Sequence, residues 1–377
     1  MASVSKRLRD GQTTWLARWR DPAGRQHKRS FDKRSDAERF LTSIEHAKLS
    51  GGYVDPALGR MTIGAYADLW IARQVQLRPS TRDRYATIIR THIRPAFGQL
   101  PLTHLERSAV AAWVADLSAA GLAPPTVRHV HRVLHMIVQG AVRDSRIARN
   151  VCAGVPLPRG GERHKRFLDH GQVNALADAA GGARLPILVL AYCGIRFGEL
   201  AALRVRSVDT LRRRLTIAES ATEVAGRMVF GPPKSGRRRS VPIPRSLIEP
   251  LAVQCAGKDK DALVFTAPEG GVIYLRNWRR RVFDPAVRAA GLESLTPHEL
   301  RHTAASLAVA AGASVKSVQR MLGHASAAMT LDVYAGLFDD DLDSVADRLD
   351  RAAADALVTP ARPEGNVSPL HARVSGL

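Results

Sequence analysis

Between Val155 and Arg166 the chain reads VPLPRGGERHKR, a stretch where prolines, glycines and charges crowd between two periodic regions. Such a run continues neither a helix nor a strand, because proline removes a backbone donor and glycine carries the highest conformational entropy. It divides the chain, and residues 153–165 are expected to be an interdomain linker. At about 150 residues per domain, a length of 377 residues suits two or three units. A hydrophobic content of 45% leaves apolar side chains for a core in each.

Residues 1–58 are expected to form a small α+β domain. TTWLARWR and RQHKRSF alternate aromatic or basic residues on either side of Asp21-Pro22-Ala23-Gly24, which reads as a hairpin within a small sheet. Ser35 then caps DAERFLTSIEHAKLSGG, where Ala37, Phe40, Leu41, Ile44 and Ala47 recur at helical spacing until Gly51 and Gly52. Residues 60–152 read as four helices: TIGAYADLWIARQ, STRDRYATIIRTHIRPAFG, THLERSAVAAWVADLSAAG and PPTVRHVHRVLHMIVQGAVRDSRI. Ser80, Thr103 and Pro125 stand at starts, Gly98 and Gly121 at stops. Residues 166–357 mix helices with short strands (RLTIAE, RMVF, RRSVPIP), as a mostly helical domain with a small antiparallel sheet would. Within FDDDLDSVADRLDRAAADAL, Leu342, Val345, Leu349 and Ala353 share one stripe of an acidic amphipathic helix, which either folds back or docks onto a neighbouring subunit. Residues 358–377 are expected to be a flexible tail. The fold class is thus multidomain and mainly α: a small α+β N-terminal domain, a four-helix domain, and a mostly helical domain carrying a small sheet.

The 56 Lys and Arg outnumber 35 Asp and Glu, for a net charge of +21. So large an excess needs a polyanion, and nucleic acid is the first candidate, since each cation on a phosphate releases condensed counterions. Arg18, Arg20, Lys28 and Arg29 are expected to contact DNA rather than decorate a wetted sheet. Arg128, His131, Arg132 and His135 fall three or four apart on one helical stripe, which either lies against a duplex or is simply solvated. No apolar run reaches the roughly 20 residues that span a bilayer, and the start MASVSKRLRDGQTTW has no apolar signal core. A cytoplasmic, DNA-associated protein without a membrane partner is expected. Cys152, Cys193 and Cys255 show neither metal-ligand spacing nor a disulfide framework, and read as reduced structural thiols.

The second half carries the residues with chemistry. LAYCGIRFGELAAL puts Arg196 just after an apolar helix and Gly194, with Glu199 one turn on. GPPKSGRRRSVPIP places Lys234 at the bend between strands ending at Phe230 and beginning near Arg239, with Arg237 and Arg238 as DNA-contact candidates. TPHELRHTAASLAVAAG sets His298 and Arg301 three apart on one face of a helix starting at Thr296-Pro297, where both can grip one phosphate. His302 is expected to point elsewhere, as a support or core residue. MLGH leaves His324 on the loop after Gly323, and Tyr334 follows ten positions later.

The ordered set Arg196, Lys234, His298-x-x-Arg301, Leu322-Gly323-His324 and Tyr334 resembles the active-site pattern of the tyrosine recombinase, or phage integrase, family. Residues 165 to 340 carry the resemblance closely. The helices before them look like the family's core DNA-binding domain, and the first unit like its arm-binding domain. The resemblance implies a site-specific recombinase that cleaves and rejoins DNA through a 3′-phosphotyrosyl bond at Tyr334, integrating or excising a mobile element. The implied partners are double-stranded attachment sites, a homotetramer on synapsed DNA, and an accessory DNA-bending or directionality factor.

The residue types suit that reaction. Charge concentrates on the non-bridging oxygens as five oxygens crowd the phosphorus, and Arg196 and Arg301 offer planar donor forks that stay charged. His298 and His324 can donate to the same oxygens, and His298 is assigned as acceptor of the phenolic proton. The resemblance points to Lys234 as the general acid, and Glu199 is expected to orient neighbouring side chains. No HExxH, carboxylate cluster or GxxxxGK[ST] loop appears, so neither metal nor cofactor is expected. LAVAAGASVKSVQRMLGH, with Gly312 at its turn, also resembles the helix-turn-helix of a transcriptional regulator, a reading that leaves Arg196, Lys234 and Tyr334 without a role. A topoisomerase would share the tyrosyl chemistry without exchanging two DNA sites. An architectural protein would bind DNA without any of the six residues.

Overall fold

In the computed structural model, which describes residues 2–9, 12–21, 24–49, 58–161, 166–234, 236–334 and parts of 346–354, the first strands form a three-stranded antiparallel meander. These are β1 (Ser3–Arg9), β2 (Gln12–Arg20) and β3 (Gln26–Phe31). Strand alternation turns Ala17 and Trp19 toward α1 (Arg34–Leu49), which buries Ala37, Leu41 and Ile44 against them. Arg18 pairs with Lys28 across the ladder, so both lie on the face away from α1. Cations set directly opposite repel, and an anion lying on that face relieves the repulsion. Arg29 pairs with Ala17 instead, and its guanidinium sits 5.1 Å from the ring centroids of both Phe31 and Phe40. Arg20 is exposed but donates to the Gly24 carbonyl at 3.0 Å. The four cations expected to act together are therefore divided between the two faces of the sheet.

Residues 1–163 group, together with 223–227, into one unit, and 164–222 with 228–377 into a second. In the first, α2 (Ile63–Ala72) is followed by α3 (Pro79–Ile88), which passes through a π-helical turn, Ile89–Ile93, into α4 (Arg94–Phe97); then come α5 (Arg107–Ala119) and α6 (Pro124–Arg143). Pro79 and Pro124 occupy first-turn positions, where the missing N–H costs nothing, so these helices start one residue before Ser80 and Pro125. Thr103 belongs to a short 3-10 turn, Leu102–His104, and α5 begins beyond it. Val127, Val130, Leu134, Ile137 and Ala141 give α6 its buried stripe. Tyr66 Oη and Arg73 Nη1 both donate to Asp144 Oδ2, at 3.0 and 2.9 Å, and tie the ends of α2 and α6 together.

The stripe proposed for a duplex or for solvent is neither as a whole. His131 is buried, with Nε2 unpartnered among the described residues, and burial lowers its pKa. Arg128 Nη1 donates to the Pro158 carbonyl at 2.8 Å, while Arg132 is exposed. The stretch expected to be linker also starts as packed structure, since Val155 is buried in the helical core and Leu157 packs against it. Apolar side chains among the prolines outweigh the breaking tendency of the backbone there.

The second unit contains α7 (His170–Ala179), α8 (Arg184–Cys193) and α9 (Phe197–Ala201). The strands among the described residues that follow are β4 (Val208–Asp209), β5 (Arg214–Ile217), β6 (Ser220–Val224), β7 (Arg227–Gly231) and β8 (Arg239–Pro242), the turn of β6-β7, 223–227, being the piece that groups with the first unit. The remainder is helical: α10 (Ile248–Cys255), α11 (Leu275–Trp278), a π-helical turn Arg279–Phe283, α12 (Asp284–Ala289), α13 (Pro297–Ala310), α14 (Val315–Leu322) and α15 (Ala327–Tyr334). Strands pair in the order β4-β5-β8, with β6-β7 as a separate hairpin turning at Ala225 and Gly226, both at positive φ. Lys234 is therefore not at a hairpin tip between β7 and β8. It lies on the connection between two sheets, because each strand found its partner elsewhere.

Cys152, Cys193 and Cys255 are free thiols, and burial pushes the first two up to about 12. Among the described residues no helix is long and apolar enough to cross a membrane. Leu342 and Val345 of the expected amphipathic stripe, and the tail 358–377, lie outside the described residues.

Candidate active site

The start of α13 decides which side chains meet. Glu299 accepts from Thr296 N and Oγ1, at 2.7 and 2.8 Å, behind Pro297, a capping box that fixes the first turn. Residues three and four apart are neighbours on a helix, so His298, Arg301 and His302 share a stripe. Arg301 is only 3% exposed. Its Nη1 donates to the Gly194 carbonyl at 2.6 Å and its Nη2 to the Leu322 carbonyl. Both acceptors are at helix ends, where carbonyls lack intrahelical partners. Gly194 closes α8 in the left-handed region, φ 62°, and a Cβ there would come within 2.9 Å of Leu322 Cδ2 and 3.1 Å of Ala304 Cβ. Glycine alone meets both demands. Burial, with Arg196 and Arg239 nearby, draws the Arg301 pKa down to about 9, which leaves it a cation at neutral pH.

Arg196 follows Gly194 by two residues and caps α9. Its backbone N and its Nη1 both donate to Glu199, at 2.8 and 3.1 Å. Glu199 also receives two bonds from Arg239, at 2.8 and 2.5 Å, and its carboxylate is completely buried.

Tyr334 ends α15 and is 2% exposed. Its hydroxyl pairs with His302 Nδ1 at 2.7 Å, and its ring stacks parallel to that of His324 at 6.5 Å. Burial raises the phenol to about 12, against the pull of Arg301. His324 pairs through Nδ1 with Thr330 Oγ1 at 3.0 Å, and burial followed by Arg301 and Arg196 lowers its pKa to about 4. His298 stands edge-on to His302 at 5.1 Å and makes no hydrogen bond among the described residues. Burial lowers its pKa, and Arg301, Arg196 and Lys234 press in the same direction against Glu299. Cations from three separate stretches thus act on one imidazole beside one phenol. Lys234, Arg237 and Arg238 are all exposed on the connection leading to β8. The arrangement supplies fixed positive charge, neutral imidazoles and an oxygen nucleophile, which is the equipment for holding and attacking a phosphodiester.

Residues 166–340 match the phage integrase family, and residues 62–118 match its N-terminal SAM-like domain. The chain belongs to the phage integrase family. The integrase of Mycobacterium phage D29 is 28% identical over 320 residues, covering 80% of this chain and 84% of the phage protein. Among solved structures, the Tn1549 transposon integrase in complex with a circular intermediate DNA superposes with a TM-score of 0.65 at 20% identity, covering 77% of this chain and 99% of that one. A lambda integrase tetramer bound to a Holliday junction gives 0.56 at 18% identity, covering 85% and 95%.

Within this integrase the six side chains singled out from spacing occupy the second unit, and two more belong with them. His302 was expected to point away, but it lies four residues from His298, one helical turn, and holds the Tyr334 hydroxyl. Sequence spacing marks Arg239 only as the start of a strand. Its signal was the two-residue alternation with Val241 and Ile243, both buried, which puts Arg239 on the inward side of β8.

Proposed function

We propose that this integrase cleaves and rejoins DNA at specific sites, with Tyr334 Oη as the nucleophile. The phenolic oxygen attacks a backbone phosphorus and displaces the 5′ oxygen of the next nucleotide, leaving a 3′-phosphotyrosyl bond and a free 5′ hydroxyl. Attack by a 5′ hydroxyl on that bond reverses the step and returns the tyrosine, so the phosphodiester is conserved without ATP. Arg196 and Arg301 hold the non-bridging oxygens, and His298 and His324 donate to them. Lys234 protonates the departing 5′ oxygen. The observation that carries the reading is the 2.7 Å pairing of His302 Nδ1 with the Tyr334 hydroxyl, within the field of Arg301. That pairing supports His302, rather than His298, as the proton acceptor. The substrates are double-stranded attachment sites of a phage or other mobile element, brought together by four copies of the chain with an accessory bending or directionality factor. The guanidinium clamp supplies the charge that a metal would otherwise supply, so chelator leaves the reaction intact.

The direct test uses a nicked duplex bearing a candidate attachment sequence from beside the coding region, with EDTA present. A denaturant-resistant adduct should form, with its 3′-phosphate mapped to Tyr334. Linkage at another residue, through a 5′-phosphate, or only with added magnesium overturns the proposal. His302→Phe keeps the ring and removes the nitrogen, and should slow adduct formation about 100-fold, the usual scale of a general base, with duplex affinity unchanged. A native rate in His302→Phe beside a slow His298→Phe returns the proton to His298.

A further inference from the structure

The carboxylate of Glu199 poses a physical problem. Its side chain is 0% exposed, and a carboxylate removed from water takes up a proton unless cations meet it. Arg196 meets it through a backbone N–H and one guanidinium nitrogen, at 2.8 and 3.1 Å. Arg239 meets it fork on fork, gripping both oxygens at 2.8 and 2.5 Å. On its other side Glu199 borders a cavity of about 480 Å³ that also holds Arg204, Arg206, Glu219 and Arg238. Arg204 is bonded to Glu219, and Arg206 to Glu219 and Asp261. Burial pushes the Glu199 carboxyl up, and Arg239 ahead of Arg196 outweighs it, so the group stays ionised below its ordinary pKa.

The same guanidinium reaches a second wall of the pocket. Arg239 Nε donates to the Met321 carbonyl at 3.1 Å, next to the Leu322 carbonyl that Arg301 takes. Gly323 follows at φ 67°, and a Cβ there would lie 2.8 Å from Arg239 Cδ. The end of α14, and His324 just beyond it, are seated on this side chain.

We infer that Arg239 is a positioning residue for strand cleavage: it keeps Glu199 in the form that aims Arg196, and it fixes the helix end from which His324 enters the pocket. All three of its guanidinium nitrogens are engaged, Nη1 and Nη2 by Glu199 and Nε by the Met321 carbonyl, so it acts through these two neighbours rather than on the phosphate. The inference rests on Tyr334 being the nucleophile.

The test is the single-turnover rate of adduct formation on the nicked duplex between about pH 6 and 9, the range in which an unpaired buried carboxylate titrates. Arg239→Met should slow the reaction about 100-fold near neutrality, the scale of losing one oriented donor. It should also gain a limb, absent from the unsubstituted protein, in which the rate climbs with pH as Glu199 ionises. In a Glu199→Gln background the same substitution should cost at least about threefold less than in the unsubstituted protein, because contacting residues couple, and the remaining loss reports the seating of His324. Arg239→Lys retains the charge without the fork, and should lose about tenfold with no new limb. A native rate in Arg239→Met overturns the inference, as does a loss equal at every pH and in both backgrounds, the mark of a residue that only stabilises. If Arg239→Met does not fold, a native rate in Arg239→Lys overturns it. An unsubstituted protein that binds the duplex but forms no adduct overturns the reading of Tyr334, and the inference with it.

Discussion

Tyr334→Phe should form no denaturant-resistant adduct at any time or enzyme concentration, while duplex affinity stays within about threefold of the unsubstituted protein. The substitution removes one oxygen and little else. The ring remains stacked at 6.5 Å on His324 and 6.2 Å from Phe167, and the lost bond to His302 costs about 1 kcal/mol of stability. Loss of chemistry with retained binding therefore isolates the oxygen. Gel shift and denaturing electrophoresis on the same nicked duplex measure the two quantities together, and an undiminished adduct removes Tyr334 from its role.

Arg301→Lys should reduce single-turnover cleavage by about 1000-fold or more, equivalent to roughly 4 kcal/mol of transition-state stabilisation. Lysine keeps the charge as a point, but it cannot span the carbonyls of Gly194 and Leu322 that the guanidinium holds. Hydrogen bonds to charged groups contribute about 1.5–3 kcal/mol each, so a lower melting temperature should accompany the rate loss. Duplex affinity, spread over many exposed cations, should fall far less. Cleavage within about tenfold of native would show that charge at this position suffices and that the fork geometry does not matter.

The helices and strands were legible because burial repeats locally. The apolar stripe of α6 and the alternation in β2 are both written within a few turns of chain. The pairing of strands was not, since β8 pairs with β5 and β7 with β6, and nothing near Lys234 announces which partner each strand takes. The candidate set rests on residue types at fixed spacings, and spacing does not carry the finer wiring, in which one side chain serves another. Adjacency to Arg301 argues against His302, although its spacing from His298 places it on the same face. Arg239 was hidden in a run of arginines, where only strand periodicity separates an inward residue from its exposed neighbours. His131 shows the opposite failure: its spacing matched a basic stripe, but the packing of α6 carried it inside.

Arg301 reaches forward to Leu322 and back to Gly194, and Arg239 reaches forward to Met321. A ribosome that has released the chain only as far as α13 has made both guanidiniums but not the α14 carbonyls they bind, nor the tyrosine itself. On the mechanism proposed above, cutting therefore waits for α14 and α15. On that mechanism a polypeptide terminated before α14, whatever DNA it binds, lacks the means of cutting it.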